Sequence, residues 1–164
     1  MSYLNLNKSK TEQTAGQLNI LLSDYHLYYQ KLRNFHWNIS GRNFFDLHIK
    51  FEEMYNDTLL KIDEIAERIL TLRYQPVSNF SEYIERSSIK ESKAGLEDVV
   101  MIDTLIKDHS VLLKQLREVA VAATNAEDEG TIDLIGGYIR ELEKTTWMLD
   151  AWRMKPTDNH PKVS

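Results

Sequence analysis

Apolar and aromatic residues recur at steps of three and four along most of the chain, which is the period of an α-helix. The first run extends from about Ser9 to Asn38 and the second from about Asn43 to Leu72, with Ser40 and Gly41 between them. Because the connection is short, we expect two long antiparallel helices. Their apolar stripes contain Leu18, Leu21, Leu22, Tyr25, Tyr28, Tyr29, Leu32 and Phe35, and then Leu47, Phe51, Met54, Tyr55, Ile62, Ile65, Ala66 and Ile69.

The segment from Arg73 to Lys93 contains Pro76 and many serines and is too long for a tight turn. It predicts a crossover that carries a short helix from Phe80 to Arg86. A third helix is expected from about Ala94 to Ala123 and a fourth from about Asp128 to Trp152. The predicted inward-facing residues of the third helix are Leu96, Val99, Val100, Leu105, Ile106, Leu112, Leu113, Leu116 and Val119.

Four long helices with short, long and short connections predict an all-α, ferritin-like four-helix bundle with one long crossover. The 164 residues fit one domain, 1–164, and we expect short flexible tails at about 1–8 and 155–164. The absence of cysteine excludes disulfides, zinc–thiolate sites and thiol nucleophiles. The polar residues Met1 to Lys10 and the lack of a long apolar run predict no export signal, no membrane span and a cytoplasmic location.

Charge argues against a nucleic-acid partner. The formal net charge is -5 and the sequence pI is about 5.5, whereas a protein that grips a phosphate backbone presents a basic face. DNA binding is therefore doubtful from the sequence.

Candidate metal ligands lie around the first turn and along the second helix. His36 and His48 bracket the turn, Glu52 follows His48 by four residues, and Glu67 follows Asp63 by four. Residues four apart share a helical face, and imidazole with carboxylate suits iron, manganese or zinc. The alternative is a solvated face of charged residues.

These ligands do not meet within one straight helix. His48 and Asp63 are 15 residues apart, or roughly 22 Å at about 1.5 Å per residue. At about 100° per residue they nevertheless share one flank with Glu52 and Glu67, beside the core stripe. Leu59 and Leu70 make that flank partly apolar. We therefore predict a two-fold dimer that sets Asp63 and Glu67 of one copy beside His36, His48 and Glu52 of the other.

A ligand set inside the bundle is disfavoured, because ferritin-like di-iron sites of that kind use Glu-x-x-His pairs. The residues three positions before the five histidines are Ser23, Arg33, Phe45, Ile106 and Thr157. The other histidines, His26, His109 and His160, are interpreted as ordinary surface or core residues.

The segment NFHWNISGRNFFDLHIKFEEMYNDTLLKIDEIAERIL, from Asn34 to Leu70, resembles the Dps family of miniferritins. The resemblance extends to NFSEYIERSSIKE in the crossover and to Trp147 late in the fourth helix. It implies a dodecameric shell with ferroxidase sites at two-fold interfaces, where Fe²⁺ is oxidised by hydrogen peroxide in preference to dioxygen and stored as ferric mineral. The implied ligands are His36, His48 and Glu52 with Asp63 and Glu67 of the mate, at a di-iron or mono-iron site, and Trp37 is the implied neighbouring aromatic.

Several members of the family bind DNA through lysine-rich tails, and this chain departs from that pattern. A nucleoid-associated protein that compacts DNA is still the alternative function. The acidic run around the last turn, with Asp128 and Asp133, has two interpretations. The acids cap the fourth helix, or, by the resemblance, they line three-fold pores that attract Fe²⁺.

Overall fold

The computed structural model describes residues 4–155, and the described chain is all α-helical. Its five helices are α1 (Lys8–Asn38), α2 (Phe44–Thr71), α3 (Phe80–Arg86), α4 (Asp98–Asn125) and α5 (Glu129–Arg153). The four long helices with their short, long and short connections confirm the predicted bundle, and the short helix α3 has the predicted bounds.

The bundle is organised around α1, which packs against α2, α3 and α4, while α4 also packs against α5. Apolar side chains at the helical period point inward from each long helix because burying them removes apolar surface from water. The largest fully buried side chains are Tyr25, Phe35, Phe51, Leu18, Leu21, Leu22, Leu32, Ile65, Ile69, Met101, Ile102 and Leu105.

Local signals fix where the helices begin. The Asn7 side chain accepts hydrogen bonds from the backbone N–H groups of Ser9 and Lys10, which caps α1. Gly41, in the turn before α2, has a φ of +97°, a backbone conformation that glycine adopts without steric cost. The turn between the first two helices is therefore tight, as the sequence predicts.

The start of the third long helix was predicted wrongly. We expected it near Ala94 with Leu96, Val99 and Val100 facing inward. Gly95 instead has a φ of +74°, and the helix begins at Asp98 after the extended residue Glu97. Leu96 lies before the helix and is half-buried, and Val99 and Val100 are exposed in the single chain.

The crossover is fastened to α1 by a few specific contacts. The buried Asp24 carboxylate accepts hydrogen bonds from the Ser87 hydroxyl at 2.9 Å and the Ser88 backbone N–H at 2.8 Å. Tyr83 of α3 is buried, and its ring stacks on His26 at 3.9 Å between centroids. These contacts give the long connection a defined path over the bundle.

Parts of the predicted tails, residues 1–3 and 156–164, lie outside the described residues, as does His160. Within residues 4–155, no helix is both long enough and apolar enough to cross a membrane.

Candidate metal centre

His36 and His48 face each other across the first turn and hold each other in place. The rings stack at 3.8 Å between centroids with an interplanar angle of 19°. The Nδ1 of His36 lies 2.8 Å from the backbone oxygen of His48, and the Nδ1 of His48 lies 2.9 Å from the backbone oxygen of His36. Because a carbonyl only accepts, each Nδ1 carries the proton and donates it. In the neutral rings both Nε2 atoms therefore keep their lone pairs for a metal.

This arrangement has a structural origin in the end of α1. The last carbonyls of a helix have no partner within it, and His36 lies in the last turn of α1. The His48 imidazole donates to that His36 carbonyl. A metal-binding histidine is typically oriented by a second hydrogen bond of this kind, from its other nitrogen to a carbonyl or carboxylate.

Glu52 lies one helical turn beyond His48 on α2 and has an exposed side chain. The Tyr55 hydroxyl donates to its Oε1 at 3.3 Å. The ring of Tyr55 also meets His36 edge-on, at 5.3 Å between centroids. His36, His48, Glu52 and Tyr55 thus form one cluster at the start of α2.

Asp63 and Glu67 lie far along α2 from that cluster. Both are exposed, and within residues 4–155 neither carboxylate has a hydrogen-bond or ion-pair partner. At about 1.5 Å per residue, Asp63 is roughly 22 Å from His48 along the helix axis. One copy of the chain therefore brings His36 and His48 together, places Glu52 one helical turn beyond His48, and leaves Asp63 and Glu67 apart.

The flank that carries the two groups is partly apolar, and its apolar side chains are exposed. Leu59 is 49% exposed, Leu70 is 55% exposed and Ile49 is 55% exposed. Covering such a surface with a partner is favourable, because it removes apolar area from water. The predicted placement of the carboxylates beside the core stripe is confirmed, since Asp63 and Glu67 are exposed where Ile62, Ile65 and Ile69 are buried.

Two buried lysine side chains form ion pairs with carboxylates of the bundle. Lys31 is buried and donates to Asp108 at 2.6 Å, and the buried Lys61 donates to Asp57 at 2.6 Å and contacts Glu141 at 2.8 Å. Across residues 4–155, no three His, Asp or Glu side chains converge as a metal-ligand set. Carboxylates that lysines neutralise in this way are poor ligands for a further cation.

Histidines outside the cluster have packing roles, in line with their ordinary interpretation. His109 is fully buried, accepts a hydrogen bond from the Tyr28 hydroxyl at Nε2 (2.6 Å) and lies 2.7 Å from the Thr146 hydroxyl at Nδ1. Burial lowers the pKa of His109 to about 3 and that of His26, stacked on Tyr83, to about 4. Both rings are therefore neutral, and neither stands near the cluster.

Asp128 and Asp133 have different environments. Asp128 is 1% exposed, caps α5 by accepting from the Thr131 backbone N–H, and pairs with the Arg68 guanidinium. The capping interpretation is confirmed for Asp128, and its burial contradicts a pore-lining position. Asp133 is exposed, so a role at an entry pore stays a prediction for that residue alone.

Trp37 follows His36 but turns its ring away from the core. It is 58% exposed and lies under the Arg33 guanidinium at 4.7 Å. Arg33 also lies over Tyr29 at 5.3 Å, and Tyr29 meets Tyr55 edge-on at 6.0 Å. A continuous row of aromatic and cationic groups thus connects Trp37 with the cluster.

The contact between Tyr55 and Glu52 was not predicted from the sequence, which placed Tyr55 on the core stripe. The residue lies at the edge of that stripe and is half-buried, with its hydroxyl on Glu52. The spacing of three between Glu52 and Tyr55 was the available signal, because residues three apart are neighbours on a helix.

Comparison with known proteins agrees with this architecture. The family model described as a ferritin-like domain matches residues 15–155. A solved Dps protein from Vibrio cholerae O1, described as a member of a broad superfamily of ferritin-like diiron-carboxylate proteins, superposes with a TM-score of 0.91 at 43% identity, covering 94% of this chain and 98% of that one. A Dps protein from Bacillus brevis superposes with a TM-score of 0.87 at 36% identity, covering 89% and 98% of the two chains. The protein thus has a ferritin-like fold.

A sequence relative narrows the class to a family. "DNA protection during starvation protein 2" from Bacillus anthracis is 43% identical over 141 residues, which is 86% of this chain and 97% of the relative. The chain belongs to the Dps family of ferritin-like proteins.

Proposed function

We propose that this protein oxidises Fe²⁺ at sites shared by two copies of the chain and stores the ferric product inside a dodecameric shell. His36, His48 and Glu52 of one copy and Asp63 and Glu67 of its mate are the proposed ligands. The observation that carries the proposal is the pair of reciprocal hydrogen bonds from each histidine to the backbone oxygen of the other, which uses each Nδ1–H and leaves each Nε2 for a metal.

The ligand chemistry supports oxidation as the reaction. Carboxylates are hard anionic donors and stabilise Fe³⁺ more than Fe²⁺. Each Fe²⁺ ion gives up one electron, so two ions reduce one molecule of hydrogen peroxide, whose O–O bond breaks to give two oxygens at the level of water. Peroxide is the proposed oxidant and dioxygen the alternative. Reaction of Fe²⁺ with peroxide at a protein site prevents the one-electron cleavage of peroxide by free Fe²⁺, which would damage other molecules.

The geometry of α2 supports a site shared between copies. The flank that carries both ligand groups also carries exposed apolar side chains, so covering it with an antiparallel α2 of a second copy joins each histidine pair to a pair of uncompensated carboxylates. Neither group is complete alone. In this proposal Trp37 is a neighbouring aromatic that relays electrons or orients ligands.

Iron chemistry is favoured over DNA compaction by the charges near the described chain ends. Lys10 lies 3.9 Å from Glu127, and Arg153 pairs with Asp103 at 2.6 Å and with Asp150 at 2.7 Å. Acids therefore accompany basic side chains at both ends, and the chain as a whole carries a net charge of -5.

An anaerobic assay tests the proposal. Fe²⁺ is added to the purified protein, peroxide follows, and ferric absorbance and particle size are recorded. We expect rapid oxidation without precipitation, and loss of most of the rate in the His36→Ala, His48→Ala variant. His26→Gln removes a histidine that lies outside the cluster and should behave like the unaltered protein. Equal rates in all three proteins would refute the proposed site.

A further inference from the structure

Glu52 is the only one of the three proposed carboxylate ligands whose side chain is held by another residue among those the structure describes. Its Oε1 accepts the Tyr55 hydroxyl at 3.3 Å, whereas Asp63 and Glu67 have no such partner within residues 4–155. A carboxylate has two oxygens with about four lone-pair positions, so Glu52 keeps acceptor capacity for a metal while it accepts from Tyr55.

Tyr55 is itself fixed by rings on two sides. Its ring is edge-on to His36 at 5.3 Å and 82°, and edge-on to Tyr29 at 6.0 Å and 86°. Edge-to-face contacts of this kind are the favourable geometry for aromatic pairs. The Arg33 guanidinium lies over the Tyr29 ring at 5.3 Å and supports it in turn. The hydroxyl of Tyr55 is thus presented to Glu52 by a supported ring.

We propose that Tyr55 is a positioning residue of the metal site, which orders the Glu52 carboxylate against the His36 and His48 imidazoles before metal arrives. The proposal rests on the proposed function. An exposed glutamate has several rotatable bonds, and ordering it at the moment of binding costs conformational entropy. A hydrogen bond that orders it beforehand lowers that cost, which is the usual effect of the groups behind a metal ligand.

Contact with His36 gives Tyr55 a link to both kinds of ligand. Its ring touches an imidazole while its hydroxyl holds a carboxylate on the same helix, one turn away. Fixing the two together sets the relative positions of a nitrogen and an oxygen ligand. The residue touches no metal in this proposal and acts only through Glu52 and His36.

The Tyr55→Phe variant isolates the hydroxyl, because it keeps the ring that packs on His36 and Tyr29. The test uses Co²⁺, which is stable to oxidation and whose visible spectrum reports ligand geometry. We expect Co²⁺ to bind about tenfold more weakly to Tyr55→Phe, within the range that groups behind metal ligands show, with altered visible bands and unchanged thermal stability of the metal-free protein. In iron oxidation the KM for Fe²⁺ should rise more than kcat falls.

Tyr74→Phe is the matched control, since its hydroxyl donates to the Lys8 backbone oxygen at 2.8 Å, away from the cluster. It should bind Co²⁺ like the unaltered protein. If the unaltered protein binds Co²⁺ and Tyr55→Phe binds it with the same affinity, the role of Tyr55 is overturned and the proposed function stands. Failure of the unaltered protein to bind Co²⁺ at all would instead overturn the proposed site.

A double-mutant cycle tests whether the effect passes through Glu52. Glu52→Asp shortens the side chain so that its carboxylate no longer reaches the Tyr55 hydroxyl. Adding Tyr55→Phe to Glu52→Asp should then cause no further loss of Co²⁺ affinity. Losses that multiply in the double variant would contradict positioning through Glu52.

Discussion

Phenolic hydroxyls in the core differ in whether they have a partner. Tyr25 and Tyr28 are one turn apart on α1, are both buried, and meet edge-on at 6.5 Å between centroids. The Tyr28 hydroxyl donates to His109, whereas among residues 4–155 the buried Tyr25 hydroxyl has no hydrogen-bond partner. Desolvation raises the pKa of both phenols, so both stay protonated.

The pair allows a matched prediction about stability. Tyr28→Phe leaves the buried Nε2 of His109 without a donor and should destabilise the protein by about 1–3 kcal/mol, the penalty for an unsatisfied buried polar group. Tyr25→Phe removes a buried hydroxyl that has no hydrogen-bond partner within residues 4–155, so it should not destabilise the protein and should stabilise it by up to about 1 kcal/mol. Thermal unfolding of the two metal-free variants, compared at one protein concentration, checks the difference. Equal destabilisation by both substitutions would contradict it.

The long helices illustrate what periodicity predicts and what it does not. The helices α1, α2 and α4 were predicted from apolar spacing, because the core must face one side of each helix. The start of α4 does not follow, since the apolar period continues through Leu96, Val99 and Val100 while the backbone turns at Gly95. Periodicity reports which residues are apolar, and it does not distinguish a core contact from a surface left for another copy.

Candidate ligands were predictable by spacing, but the groups that orient them were not. His36 and His48 come together as the short turn requires, and Glu52 lies one helical turn beyond His48. The reciprocal use of backbone carbonyls depends on ring orientations that no pattern encodes. The burial of Asp128 was also hidden, because its partner Arg68 is 60 residues away in sequence.

Arg68 fastens the end of α2 to the beginning of α5. Its Nε donates to the Thr131 hydroxyl at 2.8 Å and its guanidinium pairs with the buried Asp128, whose Oδ2 accepts the Thr131 hydroxyl at 2.6 Å. A Cβ at Gly130 would stand 3.0 Å from one guanidinium nitrogen of Arg68. Because the Thr131 hydroxyl and the Asp128 carboxylate both hold that guanidinium, it has little freedom to withdraw. Glu67 precedes Arg68, so this contact also holds the part of α2 that carries the second ligand pair.

This close approach predicts opposite effects for two glycine substitutions. Gly16→Ala lies within α1 with no atom within 4 Å of the added Cβ, so it should stabilise by up to about 1 kcal/mol through helix propensity. Gly130→Ala should instead destabilise by about 1–3 kcal/mol, because it disturbs a buried charge pair. Thermal unfolding of both variants measures the two changes in stability. Stabilisation by Gly130→Ala would show that the Arg68 side chain moves aside at little cost.

At the scale of the whole molecule, every helix carries some exposed apolar side chains, and two groups of them lie on α2 and α3. Leu59, Leu70 and Ile49 line the flank of α2, and Phe80 and Ile84 are exposed on α3. Large exposed apolar side chains in one region are typical of an association surface. The ligand groups lie along the first of these surfaces, so assembly and metal binding are expected to depend on each other.

Shared sites make a prediction that a site within one chain does not. His48→Ala and Asp63→Ala each disable both sites of a two-fold dimer. A mixed dimer contains one site with both substitutions and one site with neither, because each site takes His48 from one copy and Asp63 from the other. Random reassembly of equal amounts should therefore restore about a quarter of the Fe²⁺-oxidising sites of the unaltered protein.

A second mixture separates sharing from any general effect of mixing. His48→Ala and Glu52→Ala both alter the group at the start of α2, so every site of their mixed dimer lacks one ligand and no activity should return. Both mixtures are disassembled, combined, reassembled without metal, and assayed for Co²⁺ stoichiometry and iron oxidation. Recovery in the first mixture alone requires that the two ligand groups come from different copies of the chain. Inactivity of both mixtures after verified exchange of subunits would mean that Asp63 does not complete the site of its neighbour.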